Sequence, residues 1–185
     1  MHIAAHILAG GHSRRFGEDK ALFQYKKQPL ISYAIRTLGS VFPSVDIIAK
    51  EPEKYSRFGL PVLPDFAERQ NPLAGIQTGL SEQLSDWGYF QACDMPFMTR
   101  EVLLLLLDSL ESQINKSLQA VVPVTDGEIQ PLAAFYHKSS LPAIESGLID
   151  STSLQRWLDD LRVEFIPVGE TDPFRNVNTR EDLYD

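Results

Sequence analysis

The chain has 185 residues, 43% hydrophobic and 23% charged, with a formal net charge of −8 and a single cysteine, Cys93. That length and composition suit one domain with a sizeable core, so a single domain spanning 1–185 is expected. The acidic total excludes a broad nucleic-acid surface, and the lone cysteine excludes an internal disulfide and suits a reducing compartment.

The N-terminal stretch "MHIAAHILAGG" lacks the basic region and long apolar segment of a signal peptide. It reads instead as a buried first strand over 2–8, leading into the glycine-rich loop "GGHSRRFGEDK". In "PLISYAIRTLGS", apolar residues at 30, 31, 34, 35 and 38 predict a helix stopped at Gly39. Strands are expected over 45–49 and 60–63, a helix over 73–84 and a strand over 88–93. Thr99 can N-cap the helix "REVLLLLLDSLESQI", with Glu101 placed where it favours the dipole. The run "VLLLLL" within it is far shorter than the ~20 residues that cross a bilayer, so no membrane span and a cytoplasmic location are expected. Strands over 118–124 and 130–137 flank the turn "TDGE". The segments "SSLPAIESGL" and "TSLQRWLDDL" read as helices, 163–168 as a late strand, and "NTREDLYD" as the start of a terminal helix. Strands that alternate with helices imply βαβ units and a mostly parallel sheet. Ligands in such sheets sit at the carboxyl ends of strands. That rule brings together the loop from Gly10 to Lys20, Asp65 in "LPDF" and Asp94 in "CDMP".

The loop after the first strand is the most informative segment. Gly10, Gly11 and Gly17 let backbone N–H groups turn toward an anion. From His12 to Lys27, Arg14, Arg15, Lys20, Lys26 and Lys27 stand against Glu18 and Asp19, a local charge of +3 in an acidic chain. An anionic ligand of the triphosphate kind fits there; so does a glycine-rich turn with solvated cations. The loop is neither G-x-x-x-x-G-K-S/T nor G-x-G-x-x-G, so it is a phosphate loop of another design.

"LAGGHSRRFGEDKAL", residues 8–22, resembles the LAGG-x-S-x-R-M/F-G-x-D-K signature of the molybdenum cofactor guanylyltransferases, a branch of the nucleotidyltransferases. The resemblance implies a three-layer α/β/α fold with a mostly parallel twisted sheet, a Rossmann-like (glycosyltransferase-A-like) arrangement. It also implies that Leu8, Ala9, Gly10 and Gly11 line the nucleotide and that Arg15 and Lys20 hold its triphosphate. In related cytidylyltransferases the motif tends to LAAG, so Gly10 leans toward guanine. "CDMP" resembles the family's metal motif, which implies that Asp94 holds Mg²⁺ against the phosphates; on its own it reads first as a turn-forming Asp before Met-Pro. Asp65 corresponds to an acid that contacts the nucleotide. "NPLAGI" resembles GPLAGI, with Asn71 in place of the usual Gly. A nucleotide-contacting Asn found in some relatives has no counterpart in "DIIAKE".

Further on, "SLQRWL" resembles the family's SLRRWL helix, and "FRNVNTREDL" its F-x-N-V/I-NTPEDL close, with Arg180 in place of Pro. By this resemblance Asn176 and Asn178 would contact the pterin cofactor or its phosphate; by residue type alone, "NVNT" is a turn plus a cap, with Thr179 directed at Asp182. Gln130 and Arg156 are further candidates on that side. His2, His6, His12 and His137 show no ligand spacing, and Trp87 and Trp157 read as packing residues. The implied activity is Mg²⁺-dependent transfer of GMP from GTP to molybdenum-bearing molybdopterin, with molybdenum cofactor biosynthesis proteins or molybdoenzymes as partners. The N-terminal half would bind nucleotide and the C-terminal half the pterin. A sibling nucleotidyltransferase with another base or a sugar-phosphate acceptor stays open. So does a nucleotide-binding protein without catalysis. A flavodoxin-like module would need a hydroxyl-rich loop, which this chain lacks.

Overall fold

The computed structural model describes residues 2–9, 19–65, 71–112, 117–150 and 152–183. The strands are β1 (Ala4–Leu8), β2 (Gln24–Tyr25), β3 (Gln28–Pro29), β4 (Ser44–Ala49), β5 (Val62–Pro64), β6 (Trp87–Ala92), β7 (Ala120–Thr125), β8 (Glu128–Ile129), β9 (Ala133–His137) and β10 (Val163–Pro167). The helices are α1 (Ile31–Gly39), α2 (Pro72–Glu82), α3 (Arg100–Ser112), α4 (Leu141–Ile149) and α5 (Leu154–Leu158). One eight-stranded sheet runs β10-β7-β9-β6-β1-β4-β5, with β8 paired to β7. β1 is central and parallel to both β4 and β6, and β5 continues the parallel set. β9 is wedged antiparallel between β6 and β7, while β10 returns parallel to β7. The fold is the expected α/β sheet, parallel in its first half and mixed in its second.

Side-chain alternation on the central strands builds two apolar layers. Ala5 and Ile7 of β1, with Ile3 just before it, face one side, where Ile31, Ala34 and Leu38 of α1 and Val102, Leu103, Leu106 and Leu110 of α3 cover them. The other face packs Leu73, Ile76 and Leu80 of α2 with Ile144 of α4 and Trp157 of α5. Both tryptophans are packing residues, as expected: Trp157 is fully buried and Trp87 nearly so. Neighbouring strands place Tyr89 in the first layer and Phe90 in the second, so the sheet is sandwiched between helices on both faces.

Local chemistry sets the element ends. Thr99 caps α3 as expected, its Oγ1 accepting from the Val102 N–H at 3.3 Å. At "TDGE", Asp126 and Gly127 both take positive φ, +49° and +79°, which closes the β7–β8 hairpin. The expected strand over 130–137 is shorter, because Gln130 donates to the Pro123 carbonyl and the chain turns before β9 begins at Ala133. The β2–β3 hairpin was not anticipated. Its turn residues, Lys26 and Lys27, take φ of +46° and +67° without a Gly or Asn to signal it. The terminal helix is a single 3₁₀ turn, Glu181–Leu183, within the described residues. Thr179 does meet Asp182, but the carboxylate is the cap: it accepts from the Asn178 and Thr179 N–H groups and the Thr179 hydroxyl. Those bonds hold the Asp182 carboxyl below its usual range, so their stabilisation is full above pH ~4 and fades as pH falls through the lowered value.

His6 has a structural role. Buried on β1, it places Nδ1 2.7 Å from Asp46 Oδ1 on β4 and Nε2 2.9 Å from Gln83 Oε1 beyond α2. Its ring stacks on Phe90, and α2 crosses this pair at Gly79. A Cβ on Gly79 would lie 2.6 Å from Phe90 Cε1 and 3.0 Å from His6 Cγ, both on buried rings with no room to retreat. Gly79→Ala is therefore expected to lower stability by about 1–3 kcal/mol from overpacking, although alanine is the better helix former by about 1 kcal/mol. Urea denaturation checks it; a gain in stability would mean that α2 does not press on β1 and β6 in this way.

Candidate active site

The carboxyl ends of β1, β4, β5 and β6 open on one side of the sheet. The backbone binds them together: Ala9 N–H donates to the Ile48 carbonyl at 2.8 Å, Cys93 N–H to the Leu8 carbonyl at 3.1 Å, and Asp65 N–H to the Ala49 carbonyl at 2.9 Å. Above them lies a cavity of about 460 Å³. Leu8, Ala9, Lys20, Asp65 and Asp94 line it, and Asn176 and Asn178 close one side. The structure thus brings seven of the sequence-selected residues to one cleft. Gly10, Gly11 and Arg15, with Arg14 and His12, lie outside the described residues.

Lys20 is placed by its neighbour. Asp19 starts a 3₁₀ turn by accepting from the Ala21 N–H at 3.1 Å, and its other oxygen accepts from the Tyr55 hydroxyl at 3.0 Å. Burial pushes the Tyr55 hydroxyl pKa up, with the Asp19 charge adding to it, so the phenol stays protonated and keeps donating. From this anchored turn Lys20 reaches across the cleft. Its Nζ donates to Asp94 Oδ2 at 2.9 Å and to Asn178 Oδ1 at 3.2 Å. Both charged side chains are largely shielded, at 15% and 21% exposure, so each limits the cost of burying the other.

Asp94 sits on the turn that ends β6. Gln91, fully buried, holds this turn by donating from Nε2 to the Met95 carbonyl at 3.2 Å. The Asp94 carbonyl in turn accepts from the Val177 N–H at 2.9 Å, so the closing segment is tied to the same turn. The second carboxylate oxygen, Oδ1, is buried and has no hydrogen-bond partner among the described residues. Asp94 lines the cavity, and a carboxylate with one oxygen left without a donor is a hard oxygen ligand suited to a cation. Cys93 beside it is buried, and burial, together with the Asp94 charge, pushes its thiol up; it is not a nucleophile at neutral pH.

The start of α2 shapes the opposite wall. Asn71, standing where the resemblance expects Gly, caps the helix by accepting from the Leu73 N–H at 3.0 Å, and Pro72 fills the first turn. A Cβ at Gly75 would come within 2.8 Å of Leu8 Cδ2, so glycine lets α2 approach β1 directly at the cavity wall. Asn176 and Asn178 also line a second cavity of about 410 Å³, which reaches Gln130 and Arg175. Arg156, exposed on α5, lines neither cavity. His137 caps its own turn through Ser139, a local role.

Four residues of this arrangement were not singled out from the sequence: Asp19, Tyr55, Lys50 and Arg175. Asp19 stood inside the recognised stretch as the acid before Lys20. Lys50 follows β4 and lines the first cavity, which the strand-end rule alone points to. Tyr55 and Arg175 carry no local signal, because their roles depend on contacts with distant segments.

No described helix is long and apolar enough to cross a membrane. Among relatives, a molybdenum cofactor guanylyltransferase of Syntrophotalea carbinolica is 33% identical over 97% of this chain and 88% of its own length. A probable molybdenum cofactor guanylyltransferase of Bacillus licheniformis is 34% identical over 96% and 92%. The crystal structure of molybdopterin-guanine dinucleotide biosynthesis protein A from Archaeoglobus fulgidus superposes with a TM-score of 0.84 at 26% identity, covering 98% and 95%. The CTP complex of CMP:2-keto-3-deoxy-manno-octonic acid synthetase shares the fold alone, with a TM-score of 0.80 at 13% identity. The family model described as the MobA-like NTP transferase domain matches residues 5–165, and the chain belongs to that family.

Proposed function

We propose that this chain transfers GMP from GTP to molybdopterin carrying molybdenum, yielding the guanine dinucleotide form of the cofactor and pyrophosphate. The observation that carries the reading is the Lys20–Asp94 pair at the floor of a strand-end cavity, in a chain whose near-full-length relatives bear the name of this activity. One domain serves both substrates, nucleotide toward the N-terminal half and pterin toward the C-terminal half. A cytoplasmic location and hand-over to molybdoenzymes belong to the same reading.

In the reaction, an oxygen of the acceptor's terminal phosphate attacks the α-phosphorus of GTP. The new P–O bond forms as the bond to the β-phosphate oxygen breaks, and the electron pair leaves with pyrophosphate. The acceptor phosphate is already ionised at neutral pH, so no residue has to generate the nucleophile. What the protein supplies is position and charge. Leu8 and Ala9 hold the nucleoside against the sheet edge, and Asp65 contacts it from the end of β5. Lys20 moves its donor hydrogens from Asp94 to the phosphates, and with Arg15 it stabilises the charge that gathers on the leaving pyrophosphate.

Asp94 fits a Mg²⁺ ion: its Oδ1 is buried and partnerless among the described residues. No cluster of three or more acidic, histidine or cysteine ligands occurs among those residues. Asp94 would be the protein's carboxylate for such an ion. When bound, the ion would supply positive charge that offsets the negative charge of the phosphates.

Asp94→Ala is expected to abolish magnesium-dependent pyrophosphate release while circular dichroism shows the fold retained; an active, magnesium-dependent variant contradicts the metal role. Lys20→Ala should weaken GTP binding by roughly 10- to 100-fold, the worth of a charge-assisted hydrogen bond. Unchanged affinity in a calorimetric titration removes Lys20 from the phosphate site. The same titration with GTP, CTP, ATP and UTP should favour GTP, and a preference for CTP would point to the sibling cytidylyltransferase activity.

A further inference from the structure

The second cavity meets the first at a shared wall, Asn176 and Asn178. That wall is pinned on the first cavity's side by the Val177 N–H on the Asp94 carbonyl and by Lys20 on Asn178. A ligand in the second cavity therefore ends within reach of whatever Lys20 and Asp94 hold. The lining of this cavity is unevenly charged. Asp126, Glu128 and Asp172 are exposed at its rim, while Arg175 is half-buried and is the one cation among its described lining residues.

Arg175 is held without being satisfied. Its guanidinium lies over the Phe97 ring at 4.3 Å, and Phe97 follows Asp94 on the same loop. Its Nε is buried and has no hydrogen-bond partner among the described residues. None of the described carboxylates comes within ion-pair distance of it, although the Asp182 carboxylate is near enough to feel its charge. A buried guanidinium N–H left open costs stability unless a ligand meets it. The Nε edge of arginine presents two parallel donors, the geometry that takes a phosphate in bidentate fashion. An attacking phosphate dianion also needs a cation, because it must approach a triphosphate that is itself strongly anionic.

We propose that Arg175 binds the terminal phosphate of the acceptor and so selects a phosphate monoester as the nucleophile. This inference rests on the guanylyl-transfer reading above. Arg175 takes two phosphate oxygens and leaves a third directed through the Asn176–Asn178 wall toward the α-phosphorus; it exchanges no proton and forms no bond of its own. Phe97 holds the guanidinium against the Asp94 loop, which sets the direction of approach.

The test compares wild type with Arg175→Met and Arg175→Lys. Methionine keeps an apolar stem against Phe97 and removes the donors, while lysine keeps the charge and loses the fork. Pyrophosphate release is followed while GTP and molybdopterin are varied in turn, and binding of the dephosphorylated pterin is measured by fluorescence quenching. Expected for Arg175→Met is an acceptor KM raised about tenfold or more, with the GTP KM changed less than about twofold. Arg175→Lys should fall between, and the dephosphorylated pterin should bind all three proteins alike. An unchanged acceptor KM in Arg175→Met, an equal rise in the GTP KM, or weaker binding of the dephosphorylated pterin overturns the assignment. Wild-type protein that releases no pyrophosphate from GTP and molybdopterin, with magnesium present, removes the parent reading and this inference together. An active wild type with an indifferent Arg175 removes this inference alone.

Discussion

An ion pair 2.9 Å long, between side chains 74 residues apart in sequence, organises this molecule's working face. Lys20 comes from the loop after β1 and Asp94 from the turn after β6, strands that lie side by side in the sheet. Neither charge is well solvated, so each depends on the other until a ligand replaces one partner. Under the proposed function each partner stands in for a ligand charge: the Lys20 ammonium for the divalent cation on Asp94, and the Asp94 carboxylate for the phosphates on Lys20. Much of the surrounding structure serves to keep these two groups apart by one hydrogen-bond length. Tyr55 and Asp19 fix the turn below Lys20, and Gln91 fixes the turn around Asp94.

The closing segment of the chain completes the site from the other end. Through Val177 on the Asp94 carbonyl and Asn178 on Lys20, residues 174–178 join the paired side chains to the second cavity. Asp182 stiffens this segment by accepting three hydrogen bonds from Asn178 and Thr179. The two cavities therefore share one wall, Asn176 and Asn178.

Much of this was legible in the residues because strand-end placement is a topological rule. Once β1 and β6 were recognised as buried strands, Lys20 and Asp94 had to emerge at the same edge of a parallel sheet. The long helices were legible for a similar reason, since their apolar spacing is local. Three kinds of feature were hidden. The β2–β3 hairpin turns on two lysines in left-handed backbone, where glycine or asparagine would have announced it. The antiparallel insertion of β9 depends on pairing across the sheet, which no local pattern reports. Tyr55 and Arg175 matter through partners far away in sequence, an acid at position 19 and a ring at position 97. Asn71 shows the reverse case: a departure from the expected motif that the fold absorbs, because asparagine caps a helix as well as glycine enters one.

The central claim is that Lys20 and Asp94 exchange each other for the phosphates and divalent ion of a nucleoside triphosphate. A crystal structure of the protein with GTP and Mn²⁺, the ion located by its anomalous scattering, tests this most directly. The account predicts manganese within about 2.2 Å of an Asp94 carboxylate oxygen, with Lys20 Nζ turned onto the triphosphate. An ion bound elsewhere, with the Lys20–Asp94 pair intact beneath a bound nucleotide, would contradict it.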